Sequence, residues 1–181
     1  MPDASPLARP GRDELPEYHA RYVALVPDGD LLTQLRRTGE ATAAALATLG
    51  DAGAAHRYAA DKWSVKQVLG HLIDGERVFG FRALSFARGE AAVLPDMDQE
   101  AWMRLAGFDA RPLERLVAEF RAVRAATLLQ FGSFDAAAAR RRGRASTFEF
   151  SARSLGWIVA GHELHHRAIL RERYGVALPE A

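Results

Sequence analysis

The stretch GWIVAGHELHHRAILRERY, Gly156 to Tyr174, decides how this chain is read. Its apolar residues recur at helical spacing, so it is expected to form one long helix, and it carries three of the chain's six histidines. At about 100° per residue, His162 and His166 lie about 40° apart on the helical wheel. Leu155, Ile158, Val159 and Ile169 share that arc. The two imidazoles therefore sit on the stripe that faces a core, where an unpaired polar ring is costly. Histidines at i and i+4 are also spaced so that both can bind one metal ion.

Working outward, three more long helices are expected. Leu31, Leu35, Thr38, Thr42, Ala45, Leu46 and Leu49 recur at helical spacing behind a Pro-Asp-Gly-Asp stop at 27 to 30, with Gly50 as terminator. Ser64 followed by Gln67 is a capping-box pattern that opens a second helix running to about Arg88. Its apolar face includes Val68, Leu72, Val78, Phe79 and Phe86, with His71 at the edge. Gly75, one turn after His71, leaves space beside the imidazole, which suits a ligand or a close helix crossing. Pro112 opens a third helix whose Leu113, Leu116, Val117, Phe120, Val123, Thr127 and Leu128 keep a 3.6 period to about Gly132.

The connections hold shorter elements. Residues 98–107, DQEAWMRLAG, read as a short helix with Trp102 and Leu105 packing, and Asp135 to Arg142 as a weaker one. Ser151 or Ser154 caps the last helix. Only the brief TFEF at 147–150 alternates like a strand. Prolines 2, 6, 10 and 16 mark residues 1–16 as a flexible tail, and EYHARYVALV is laid across the domain that follows. The expected architecture is all-α: one four-helix bundle domain over residues 17–181, with short extra helices in the connections.

Composition narrows the function. At 181 residues and 49% hydrophobic content the chain can bury a sizeable core. It has no cysteine, which excludes a disulfide scaffold, a protein thiol nucleophile and a thiolate metal site. A net charge of +1 gives no global attraction to nucleic acid or membrane. Arg140, Arg141, Arg142 and Arg144 lack the interleaved aromatics of a nucleic-acid platform and read as a solvated loop. No apolar run approaches the roughly 18 residues of a spanning helix, and no leader pattern is evident. A cytoplasmic protein is expected.

HELHH at 162–166 also satisfies the zinc-protease pattern H-E-x-x-H. The rest of that machinery is missing: Ile169 and Glu172 stand where the longer form has Gly and His. On the wheel, Glu163 points about 100° away from His162 and reads as a surface residue. Asp74 and Glu76 read as helix-surface carboxylates or as partners of a metal ligand. A third ligand must come from another helix, and His71 is the best candidate, the only other histidine on the inner face of a long helix. His165, about 60° to the other side of His162, is left open as ligand, partner of a ligand or outward ring. His19 and His56 read as surface or packing residues. Three neutral imidazoles leave positions open to water or substrate, as in catalytic zinc sites, and nickel or iron suits the same donors.

Two blocks, YAADKWSVKQVLGHLIDGERVFGFRALSFARGE (58–90) and WIVAGHELHHRAILRERY (157–174), resemble the DinB-like superfamily. The similarity extends through ARYVALVPDGDLL and GFDARPLERLVAEFRAVRAATL. The resemblance implies a four-helix bundle, often dimeric, with a divalent metal held by one histidine of the second helix and a His-x-x-x-His pair of the last. Those positions are His71, His162 and His166. It further implies a metal-dependent enzyme that joins a low-molecular-weight thiol, such as mycothiol or bacillithiol, to a small electrophile. A hydrolase using activated water, with Asp74 or Glu163 as its base, is the rival, and a metal-containing stress-response module without turnover is the third reading. The expected partners are a small-molecule substrate and a second copy of the chain, with zinc or nickel as the ion. Arg77 and Arg82 would meet a thiol's carboxylate or else form ion pairs.

Overall fold

The computed structural model describes residues 5–179. After a 3-10 turn at Arg12–Glu14 come α1 (Glu17–Val23), α2 (Leu31–Ala47), α3 (Gly50–Ala54), α4 (Val65–Ala87) and α5 (Gln99–Leu105). A second 3-10 turn, Phe108–Ala110, leads to α6 (Leu113–Gly132) and α7 (Ala136–Arg140). Strands β1 (Arg142–Ala145) and β2 (Phe148–Ser151) form an antiparallel hairpin that runs directly into α8 (Ala152–Tyr174).

Local chemistry fixes the helix starts. Asp30 accepts from the Thr33 N–H, Ser64 and Gln67 exchange both bonds of the capping box, and Ser151 accepts from the Ser154 N–H. Gly175, with φ of 69°, closes α8 in the left-handed conformation that glycine takes without a Cβ clash. The four long helices close a bundle in which α2 and α4 each pack against both α6 and α8, so α2 faces α4 across the diagonal. Helix α1 lies along α8.

The interior has two apolar halves. One gathers Leu31, Leu35, Phe86, Phe131, Phe150 and Trp157; the other gathers Leu46, Leu69, Ile73, Leu116, Phe120 and Leu170. Between them every long helix turns polar: Thr38 and Thr42 on α2, His71 and Glu76 on α4, Arg124 on α6, and His162, Glu163 and Arg167 on α8, all buried. Glycines make room at this level. A Cβ at Gly39 would lie 2.6 Å from an Arg124 nitrogen, and one at Gly161 would lie 1.9 Å from the Tyr22 carbonyl oxygen.

Several expectations need correction. The stretch read as a flexible tail is anchored at several points: Leu7 and Leu15 are buried, Arg9 donates to the Val23 and Val26 carbonyls, Trp157 donates to the Leu7 carbonyl, and Glu14 pairs with Arg153. Residues 1–4 lie outside the described part. The sequence shows few apolar residues there, but much of the anchoring runs through backbone carbonyls and ion pairs of Arg9, Asp13 and Glu14, which a hydrophobic pattern does not register. Helix α7 ends at Arg140, because residues 142–145 leave it to pair with β2. Trp102 and Leu105 are 45% and 87% exposed, since α5 is too short to bury both sides.

Candidate metal centre

His71 from α4 and His162 and His166 from α8 converge where those two helices pack. Each offers a ring nitrogen within 4.8 Å of the others, and the ring centroids are 4.6–4.9 Å apart. The Nε2 atoms of His71 and His162 stand 3.0 Å apart. Close approach at this crossing depends on Gly75, whose Cβ, if present, would lie 3.3 Å from the His162 ring. The space beside His71 is thus filled by the crossing helix's imidazole.

The three rings are neutral at pH 7. Burial lowers His162 well below the ordinary histidine value, and its neighbouring imidazoles push it further. Burial likewise brings His71 to about 4, aided by His165, and His166 to about 3, aided by His71 and His165. Three neutral imidazoles carry three N–H groups and three lone pairs. Nδ1 of His71 and Nδ1 of His166 are buried with no hydrogen-bond partner. Two nitrogens bound to one tetrahedral ion at ~2.0–2.1 Å stand roughly 3.3 Å apart, close to the His71–His162 separation. With one lone pair from each ring, the three histidines offer a divalent cation three nitrogen donors.

The other candidates go elsewhere. His165 is half-buried, edge-on to Tyr22 and His166, outside the cluster. His56 is exposed. Glu163 is not a surface residue: it is 1% exposed, accepts from the hydroxyls of Thr38 and Thr42, and pairs with Arg124 at 2.8 Å. Glu76, read as a helix-surface carboxylate or a partner of a metal ligand, is buried against Arg124 at 2.8 Å. The wheel angle placed Glu163 away from His162 correctly, but that side of α8 faces α2, with Arg124 reaching it from α6, rather than water. Both carboxylates are thereby held off the histidines, and the glutamate of the H-E-x-x-H pattern has no place at the site. Asp74 sits in a half-buried group with Arg77 and Glu119, and burial raises its pKa.

A cleft of about 450 Å³ opens beside the cluster, lined by His71, His162, Gly75, Tyr22, Phe79 and Arg82 among others. The β-hairpin supplies Phe148 and Phe150 as one wall, and α1 supplies Tyr18 and His19. His19 packs among Tyr18, Tyr22, Phe79, Phe148 and Phe150, with Nδ1 buried and unpartnered. Burial lowers it to about 4, aided by the charges of Arg82 and Arg21. Its role as a cleft residue was invisible in the sequence, because Phe79, Phe148 and Phe150, which help enclose it, come from two distant segments.

The family model for the DinB superfamily matches residues 34–170, a span that holds all three histidines. The chain belongs to the DinB superfamily. Among solved structures it is similar to YfiT from Bacillus subtilis, described as a probable metal-dependent hydrolase with an unusual four-helix bundle topology. The two share 16% identity, with a TM-score of 0.68 over 94% of this chain and 95% of that one. At that identity the likeness establishes the DinB-type bundle as the fold. No curated protein matches the sequence. Among the described residues, no helix is long and apolar enough to cross a membrane.

Proposed function

We propose that this DinB-superfamily chain is a divalent-metal-dependent enzyme that activates a low-molecular-weight thiol for transfer to a small electrophile. The observation that carries this reading is the convergence of three neutral imidazoles, two of which line an aromatic-walled cleft. A divalent ion held there by His71, His162 and His166, zinc or nickel by its nitrogen donors, would supply Lewis acidity and lower the pKa of a thiol or water that reaches it. No carboxylate joins the three histidines among the described residues, so their donor set leaves a cation's charge uncancelled. Arg124 draws Glu76 and Glu163 away and keeps them from competing as ligands. Phe79, Phe148 and Phe150 give the cleft an apolar wall, against which electrostatic interactions are stronger than in open water. The sulfur comes with the substrate, since the chain has no cysteine.

Hydrolysis is the second reading, favoured by the description of YfiT. A cytoplasmic location and a homodimer, with exposed Phe81 and Leu105 as its apolar surface, belong to the same picture. The test is to load the protein with zinc or nickel and follow conjugation of cysteine, and of a panel of other small thiols, to monobromobimane. The reading expects a rate above background that chelation removes and His162→Ala lacks. Metal-dependent hydrolysis of p-nitrophenyl acetate without thiol transfer would favour the second reading. Background rates in both assays would end the enzyme claim.

A further inference from the structure

The cleft has a second polar end. On α4, His71, Gly75, Val78 and Arg82 are spaced i, i+4, i+7 and i+11 and all line it, so they form one stripe along its floor. Arg82 stands eleven residues from His71, or about 16 Å along the helix axis. The side chain is 8% exposed, yet its partner set is thin. One Nη donates to the Pro95 carbonyl at 2.7 Å. The nearest carboxylate oxygen, Asp96 Oδ1, is 3.8 Å away, beyond hydrogen-bond reach.

The acids near this end are committed elsewhere. Asp96 Oδ1 accepts from the Met97 N–H at 2.8 Å, and its side chain is 72% exposed. Asp98 accepts from the Ala101 N–H as the cap of α5. The contrast with Arg124 is informative. That guanidinium has two carboxylates in contact, which raise its pKa, whereas burial lowers that of Arg82. A buried cation whose counter-charge, Asp96 at 3.8 Å, is exposed and out of hydrogen-bond reach is poorly compensated, and a carboxylate arriving from the cleft would add charge-assisted, fork-like hydrogen bonds.

We propose that Arg82 is the carboxylate-binding end of the substrate cleft, which takes an extended small acid whose apolar body lies against Phe79, Phe148 and Phe150. The inference names the substrate class of the site proposed above and rests on that reading for the position of the reacting end. His19, with a partnerless buried nitrogen beside the same wall, faces the same body.

The test is calorimetric titration of the protein as purified with 3-phenylpropionate and with its neutral amide, repeated on Arg82→Met, Arg82→Lys and His162→Ala. The expected result is a preference for the acid of roughly tenfold or more in the parent, the scale of one charge-assisted hydrogen bond set. Arg82→Met should lose the preference while amide binding stays, Arg82→Lys should keep part of it, and His162→Ala should keep all of it. Equal binding of acid and amide by the parent, or no binding of either at millimolar concentration, overturns the proposal without needing any variant to fold. A preference that survives Arg82→Met but vanishes in His162→Ala also overturns it: the carboxylate would then sit on the metal, and the metal-site reading would stand alone.

Discussion

Replacing Arg124 by methionine should destabilise the protein strongly while leaving its surface unchanged. The guanidinium sits at the centre of the polar layer and touches three other helices. It donates to Glu76 at 2.9 and 2.8 Å, to Glu163 at 2.8 Å and to the Leu35 carbonyl at 2.6 Å. Methionine fills much of the volume and removes the charge. Glu163 keeps its bonds to Thr38 and Thr42, but Glu76 keeps no hydrogen bond among the described residues. Removing one partner of a buried ion pair strands the other and costs about 3–5 kcal/mol. For a chain of this length that is a fall in melting temperature of roughly 6–20 °C. Circular dichroism melts and urea titrations measure it. Two further outcomes identify the cause. Adding Glu76→Gln to the variant should recover part of the loss, because the stranded charge goes with it. The deficit relative to the parent should also shrink from pH 7 to pH 5, since a buried carboxylate without a counter-charge takes up a proton. A melt unchanged by Arg124→Met, or a deficit that neither the second substitution nor pH alters, would refute the argument.

Other predictions follow from the same geometry. Gly161→Ala drives a Cβ into the Tyr22 carbonyl at the α1–α8 contact; overpacking there should cost about 1–3 kcal/mol and make α1 more sensitive to limited proteolysis. His71 and His166 titrate below the ordinary value of about 6.5 when folded, so the unfolded chain binds more protons between pH 6.5 and about 4. Chelated protein should therefore lose stability as pH falls through that window, and a flat melting profile from pH 7 to 5 would contradict the buried neutral rings. A site ion at a hundred times its dissociation constant should stabilise the fold by about 2.7 kcal/mol, read as a rise in melting temperature of roughly 5–10 °C that His165→Ala keeps and His71→Ala loses.

What the sequence disclosed follows from where its signals are local. Capping boxes, terminal glycines and apolar periodicity act within one helix, so α2, α4, α6 and α8 were legible to within a residue or two. The histidine pair was legible for the same reason, and His71 became its partner once two inner faces had to meet. The polar layer was not. Glu163 on its wheel looks outward, and only the packing of α2 against that side of α8, with Arg124 reaching in from α6, turns it into a core residue. The cleft wall was also hidden: β1 is an arginine-rich tetrapeptide with no strand pattern, held by β2 and by Leu94, whose N–H donates to the Arg144 carbonyl. In the sequence Arg82 is open as a carboxylate binder or an ion-pair former, and only the loop after α4, whose Pro95 carbonyl accepts from it, shows that it is buried at the cleft.

The central claim is that His71, His162 and His166 hold one divalent ion. It is tested most directly by elemental analysis of untagged protein, purified without chelator, beside His162→Ala and His165→Ala. The account predicts about one ion per chain in the parent and in His165→Ala, and far less in His162→Ala. A parent that stays metal-free after incubation with zinc, nickel and manganese, or a His162→Ala variant that binds as much as the parent, would contradict it.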